Sequence, residues 1–379
     1  VIVSGSIFEA MANNIGHREE EFSVLLERVN TNLLSLFEIR KRHLYHPLVI
    51  TGSGTVANET VLSSIVGDRH VLVLANGEFG GRLSAISNLH NKNTHTLTFD
   101  WGKEIDLVKV EKYLKTKKVD IIAMVHHETS VGMLNPVKAV GGLAKKYKKI
   151  FYVDAVSSCG AEKIDMEKWN ISFCTTSSGK AICSVPGLGI IMVKKSIVKK
   201  LENTPVRTMY MNLFNLYNYS IKHKQTPNTP AVHLFYALDQ ALTNILKKGV
   251  IEARNEIKRK ALIFRQGMSK MGFDFIIDEK LMSSALTTVY IPKGMKASKL
   301  RAALKEKDII VYNGKGPFVD KVFQVGHIGE IKEQDIRLFL ESLKNAVFPK
   351  NSSLRNRLHF ANPKVFNYNL LLHPKKHHV

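Results

Sequence analysis

The two residues best placed to do chemistry are Asp154, which ends the apolar run Phe151-Tyr152-Val153, and Lys180, which ends Thr175-Thr176-Ser177-Ser178-Gly179-Lys180. A carboxylate at the end of a buried strand is costly unless it faces a cation. A lysine among small hydroxyl residues, between two strands, can reach the sheet edge, condense with a carbonyl as a Schiff base and then carry a proton. Each has a plainer reading when taken alone, Asp154 as the cap of the next turn and Lys180 as a surface residue.

Two glycine-rich segments come earlier. Thr51-Gly52-Ser53-Gly54-Thr55 runs into the helical pattern VANETVLSSIV, with Thr55 at or near its start. Free backbone N–H groups there, with the hydroxyls, suit a phosphate, although an ordinary helix cap would look the same. Asn76-Gly77-Glu78-Phe79-Gly80-Gly81-Arg82 follows the run VLVL, and its glycines let the backbone turn and present one ring. That ring can stack on a planar cofactor or fill core. An anion loop, a flat ring, a carboxylate and a lysine, in that order in one domain, are together the parts of a pyridoxal phosphate site. The protonated ring nitrogen would be the cation Asp154 lacks, and its charge makes the ring an electron sink.

Positioning these residues requires an α/β sheet. Short β-branched runs at 71–74, 94–99, 121–125, 150–153, 171–175 and 189–193 alternate with helical patterns, the signature of mostly parallel strands joined by crossover helices. The pattern breaks into aromatic, Asn-rich and Pro-rich sequence over 204–230, and helical periodicity returns over 231–270, where we place a hinge. Strands at 273–277, 286–290, 309–311 and 322–325, with helices at 298–306 and 333–347, make a second, smaller α+β unit. The division is a large domain over 1–250, a small one over 251–350, and a basic tail over 351–379. The tail has five Lys or Arg, no Asp or Glu, and the composition of a poorly ordered segment.

Composition narrows the class. The 379 residues, 44% of them hydrophobic, can bury a large core, and no apolar run approaches the ~20 residues of a membrane span. Three cysteines without CxxC spacing argue for a reducing compartment, and the first residues lack a secretory signal, so the cytoplasm is expected. No metal-ligand spacing is present. A formal charge of +22 raises nucleic acid as a partner, but KKYKK at 145–149, the lysines of 194–200 and KRK at 258–260 read as solvated faces. Neither nucleic acid nor membrane is expected as a partner.

The stretches TGSGTVANE, NGEFGGR, MVHHETSVGMLNP, YVDAVSSCG and SSGKAICSVPGLG resemble the class V, fold type I aminotransferases over roughly residues 1–350. Within that group they most resemble the 2-aminoethylphosphonate–pyruvate transaminases, with alanine–glyoxylate aminotransferases more distant. The resemblance implies a large α/β/α domain with a mostly parallel seven-stranded sheet and a smaller C-terminal α+β domain. It implies that Lys180 holds pyridoxal 5'-phosphate, that Asp154 contacts the pyridine nitrogen, and that Phe79 stacks on the ring. Ser53, Gly54 and Thr55 would cradle the phosphate, Thr129 would lie near the ring hydroxyl, and Val156 and Ser178 would complete the cofactor contacts. Thr226 or Thr229, in QTPNTP, would reach a neighbouring subunit's phosphate, which implies a homodimer. The implied reaction moves an amino group from 2-aminoethylphosphonate to pyruvate. Alanine or serine with glyoxylate or pyruvate, and a lyase reaction, are the alternatives.

Three departures stand out. The family's opening Pro-Gly-Pro turn is missing ahead of Val1, as expected of a chain incomplete at its start. Gly179 replaces an amide residue that touches the phosphate. Gln324, in Phe323-Gln324-Val325-Gly326, replaces the Arg that binds the substrate's carboxylate or phosphonate, and an amide cannot offer a charged bidentate fork. Arg18, Arg82 or Arg207 would then supply the charge.

Overall fold

The computed structural model describes residues 1–348. Two helices, α1 (Gly5–Met11) and α2 (Glu20–Leu36), precede the alternating part of the chain. There follow β1 (Tyr45–Thr51), α3 (Gly54–Ile65), β2 (Val71–Ala75), α4 (Glu78–His90), β3 (Thr94–Thr98), α5 (Leu107–Thr116) and β4 (Ile121–Val125). A ribbon of β5 (His127–Glu128) and β6 (Met133–Leu134) leads to α6 (Val137–Lys146), β7 (Ile150–Asp154), β8 (Phe173–Ser177) and β9 (Leu188–Lys194).

Seven of these strands form one sheet in the order β1-β9-β8-β7-β4-β2-β3, parallel throughout except for β9. The period-2 alternation of the strands divides their side chains between two apolar layers. Leu72, Leu74, Ile122, Met124, Phe151 and Val153 pack with α2, α5 and α6, while Val71, Val73, Ile121, Ala123 and Tyr152 pack with α3 and α4. The parallel strands β1, β2, β4, β7 and β8 all end at one edge. The segments that follow them there begin at Gly52, Asn76, His126, Ala155 and Ser178, so the topology alone gathers the chemistry-bearing residues.

The second half corrects several expectations. After α7 (Lys195–Val198), the stretch read as irregular over 204–230 contains α8 (Leu213–His223). Asn212 caps α8 by accepting from the Asn215 amide at 3.0 Å, and Leu213, Leu216 and Tyr217 form its buried stripe. The single helix expected over 231–270 is two, α9 (Val232–Lys248) and α10 (Val250–Lys270), parted at Gly249 with φ 91°. The small unit then builds a sheet from β10 (Leu286–Tyr290), β11 (Tyr312–Asn313) and β12 (Val322–Gly326), covered by α11 (Ala297–Lys305) and α12 (Glu333–Val347).

The strand expected at 309–311 is absent because the Ile309 amide closes the end of α11 on the Leu304 carbonyl, with Asp308 left-handed at φ 57°, so that amide is lost to any ladder. The segment 273–277 is also no strand. It touches β10 through a single bridge, Phe275 to Val289, and turns away into a 3-10 turn at Glu279–Leu281. The tail expected over 351–379 lies outside the described residues.

Candidate active site

Asp154 is the last residue of β7 and is 5% exposed. Its Oδ1 accepts from the Val156 amide at 2.8 Å and its Oδ2 from Asn58 Nδ2 at 2.6 Å. Asn58 is fixed in turn, because its Oδ1 accepts from Tyr152 at 2.8 Å and from Thr175 at 2.6 Å. Burial pushes the Asp154 carboxyl up to about 6, against the opposing pull of the Val156 amide and Asn58. Among the described residues no Lys, Arg or His nitrogen lies within 4.0 Å of it. A carboxylate so oriented and so short of charge is a receptor for a proton-bearing cation.

Asn58 sits one turn into α3, whose N-terminus is the glycine-rich loop. Ser53 is the N-cap residue but gives no side-chain cap, so the first amides of α3 stay open at the helix's positive end. Ser53 and Thr55 are exposed there, while Gly54 is buried against Val156. A Cβ at Gly54 would lie 2.7 Å from Val156 Cγ1 and Cγ2, so only glycine lets the anion loop touch the segment after Asp154.

Lys180 follows β8 by three residues. Its side chain opens to solvent, yet the protein packed round its amine, and then the charge of Lys315, lower its pKa from the usual lysine value. Ser178 is fully buried, donates to the Val185 carbonyl at 2.7 Å and accepts from the Leu188 amide at 3.2 Å. That hydroxyl closes the loop carrying the lysine. At Gly179 a Cβ would meet Cα, Cβ and Cγ of Pro186 at 2.8 to 2.9 Å, so this backbone has no room for the amide side chain of the resemblance.

Phe79 begins α4 under the control of Glu128. That carboxylate, fully buried, accepts the Phe79 amide at 3.0 Å and the Gly80 amide at 2.9 Å, and also the Ser130 hydroxyl at 2.6 Å. It caps the helix and fixes the ring. Arg82 Cζ and Lys315 Nζ each lie 4.7 Å from the Phe79 ring centroid. His127, beside Glu128, has its pKa lowered to about 3 by burial. Its Nδ1 lies 3.3 Å from the Ser157 carbonyl, which makes that nitrogen the donor and leaves Nε2 a buried acceptor without a partner. Thr129 follows, half-buried, its carbonyl accepting from Gln324 Nε2 at 2.6 Å.

The remaining residues, expected to bind substrate or a neighbouring subunit's phosphate, are dispersed. Gln324 also donates to Thr288 Oγ1 at 3.0 Å, so its amide nitrogen joins β12 to the 129–130 turn. Arg18 donates to the carbonyls of Thr226 and Pro227. Thr226 is buried, its hydroxyl on the Asn228 carbonyl, whereas Thr229 is exposed. Arg207 donates to the Gly67 carbonyl at 3.3 Å, beyond the far end of α3 and about 18 Å along that helix from its N-terminus. Asn58, Glu128, His127 and Lys315 drew no notice in the sequence. The i, i+4 spacing of Gly54 and Asn58 was the one available signal, since it puts the amide on the helix face that the loop opens.

This arrangement offers open amides for a phosphate, a ring to stack on, a buried carboxylate without a cation and an amine of lowered pKa on one sheet edge. Its donors fit pyridoxal phosphate. Among the described residues no group of three or more His, Cys, Asp or Glu could hold a metal, and no helix is long and apolar enough to cross a membrane.

Comparison with known proteins agrees. Residues 7–323 match the family model described as aminotransferase class-V. An uncharacterized aminotransferase of Methanocaldococcus jannaschii is 33% identical over 91% of this chain and 90% of its own length. A 2-aminoethylphosphonate–pyruvate transaminase of Bacillus cereus is 32% identical over 86% of this chain and 90% of its own. The crystal structure of the ureidoglycine–glyoxylate aminotransferase of Bacillus subtilis superposes with a TM-score of 0.86 at 24% identity, covering 93% of this chain and 92% of that one.

Proposed function

Since the chain belongs to the class-V aminotransferases and is a pyridoxal phosphate-dependent transaminase, we propose that it transfers the amino group of 2-aminoethylphosphonate to pyruvate, giving phosphonoacetaldehyde and alanine in a ping-pong cycle. The observation that carries the site is Asp154, a buried carboxylate held by Asn58 and Val156 with no cation of its own, on the same edge as Lys180. The donor and acceptor rest on relatives named for that reaction.

When bound, pyridoxal phosphate supplies a sink for the electron pair left as the substrate's C–H bond breaks. The chain's residues supply the rest. Lys180 would hold the cofactor's aldehyde, and its amine would take the proton from the substrate carbon and give it back. Its lowered pKa raises the share of neutral amine able to do so. Asp154 would keep the ring nitrogen protonated. Ser53, Gly54 and Thr55 would hold the phosphate, with Phe79, Val156 and Thr129 as the further residues to hold the ring. Ser178 acts through the loop it closes, and Gln324 through the Thr129 turn it fixes.

We further propose a cytoplasmic homodimer, divided into domains at 250/251 beside Gly249. Thr229, or Thr226 after rearrangement, would reach the partner's phosphate site. Arg18 would accompany that segment to the boundary, and Arg207 would serve the partner's site. One observation favours a second donor class: Gln324 stands where the family has an Arg, and smaller amines such as alanine or serine have less need of that charge. Adding amines to the cofactor-loaded protein decides between them. 2-Aminoethylphosphonate should bleach the visible cofactor band, and pyruvate should restore it with stoichiometric alanine. Bleaching by alanine or serine alone would move the donor to the second class.

A further inference from the structure

With Gln324 in place of the family's Arg and its amide nitrogen engaged by Thr129 and Thr288, the site needs another cation for an anionic substrate. The described residues offer one in Lys315. Its Nζ lies 4.7 Å from the Phe79 centroid, and no carboxylate oxygen of the described residues lies within 4.0 Å of it. Arg82 Cζ lies at the same distance from the same ring. Arg82 has only Glu78 opposite it, at 3.7 Å with both side chains about two-fifths exposed, a weakly neutralising pair. Two cations therefore share one ring beside Lys180, whose amine feels the Lys315 charge. Cations gathered this way repel one another until an anion joins them.

The loop that presents Lys315 is rigidly built. Asn313 Oδ1 accepts from the Gly314 amide at 2.9 Å and the Asp320 amide at 3.1 Å, while its Nδ2 donates to Asp320 at 2.8 Å. A Cβ at Gly314 would lie 2.1 Å from the Phe318 carbonyl oxygen. Gly316 is left-handed at φ 51°, and a Cβ there would strike the Trp101 ring at 2.5 Å. Phe318 packs in the apolar cluster of Val131 and Met133, so the loop is docked on the large unit directly after the lysine. Solvated surface lysines are not held like this.

We propose that Lys315, with Arg82 beside the same Phe79 ring, binds the distal anionic group of the amino substrate and so sets its specificity. This rests on the transaminase reading. A phosphonate and a carboxylate are both candidates for that group, and the Lys315 ammonium differs from an Arg fork in favouring charge over planarity.

The test uses the cofactor-loaded protein and its Lys315→Gln and Lys315→Arg variants. Donor affinity is read from bleaching of the visible band by 2-aminoethylphosphonate and by its carboxylate counterpart β-alanine. Binding of unreactive propylphosphonate and butyrate is measured by calorimetry, independently of turnover. Lys315→Gln should keep the cofactor band, weaken the preferred anion roughly 10- to 100-fold, and raise KM more than it lowers kcat, as for loss of a charge-assisted bond. Lys315→Arg should recover most of the affinity. The larger loss, on the phosphonate or carboxylate arm, identifies the group. Unchanged anion affinity in Lys315→Gln overturns the proposal while bleaching persists. Lys315-dependent anion binding in a protein that no amine bleaches would instead leave the site standing and remove the transaminase reading.

Discussion

Asn58 donates from Nδ2 to Oδ2 of Asp154 at 2.6 Å, and this bond ties the helix that starts in the anion loop to the carboxylate that ends β7. Because Gly54 and Asn58 are one turn apart on α3, the phosphate cradle and the ring-nitrogen receptor are positioned by one rigid element. Tyr152 and Thr175, both donating to Asn58 Oδ1, hold the amide in the orientation that gives its N–H to Asp154.

Asn58→Leu should therefore damage cofactor retention more than the fold. It strips one bond from Asp154 and leaves the hydroxyls of Tyr152 and Thr175 only each other, at 3.0 Å. The expected loss is about 1–3 kcal/mol, or roughly 5- to 150-fold in cofactor affinity. Equilibrium dialysis with absorbance checks it, and wild-type retention would show that the bond does not orient the carboxylate.

The elevated Asp154 pKa makes the cofactor-free protein sensitive to pH. The folded-state value, about 6, lies above the ordinary 3.8, so the native state binds the proton more tightly than the unfolded one. Its contribution is most favourable below about pH 4 and is lost as pH rises through 6. Asp154→Asn removes that dependence, so the cofactor-free wild type should lose up to about 3 kcal/mol between pH 4 and pH 7.5 that the variant keeps, beside a pH-independent cost of facing the new amide's N–H to the Asn58 or Val156 donor. Denaturant melts at the two pH values measure it. The same change in stability with pH in the two proteins would refute the desolvation account.

Glu128 fixes Phe79 by accepting the Phe79 and Gly80 amides. Glu128→Ala should leave those N–H groups and the Ser130 hydroxyl without their acceptor, at a cost on the order of 2–5 kcal/mol, with Glu128→Gln less severe because one oxygen remains. Thermal melts of both variants provide the comparison. Equal stability for Ala and wild type would mean the cap is dispensable.

Gly179→Asn tests whether the departure from the family's amide is imposed by packing. A side chain there meets Pro186, so the change should destabilise by about 1–3 kcal/mol and leave cofactor affinity no better. Improved retention at full stability would show that the loop can yield.

Much of this was legible in the sequence, and the gaps have physical causes. Strands of the large sheet announce themselves because parallel strands buried on both faces need unbroken β-branched runs. Asp154 is visible for the opposite reason, as a polar group where an apolar run stops, and Lys180 as a charge that ends a run of small hydroxyl residues. The small unit is harder: Ile309 has strand-forming neighbours, but its amide is claimed by the end of α11, a tertiary choice that propensity does not reveal. Asn58 and Glu128 look like ordinary polar residues until burial is known, and Lys315, between two glycines, looks like a solvated loop tip. What makes it otherwise is Trp101, more than two hundred residues away in the chain.

The central claim is that Lys180 carries the cofactor with Asp154 at its ring nitrogen. Borohydride reduction of the loaded protein, followed by peptide mass spectrometry, tests it most directly. A pyridoxyl adduct confined to Lys180, with loading greatly weakened in Asp154→Asn, is the predicted result. An adduct on another lysine, or equally tight loading without the Asp154 carboxylate, would contradict it.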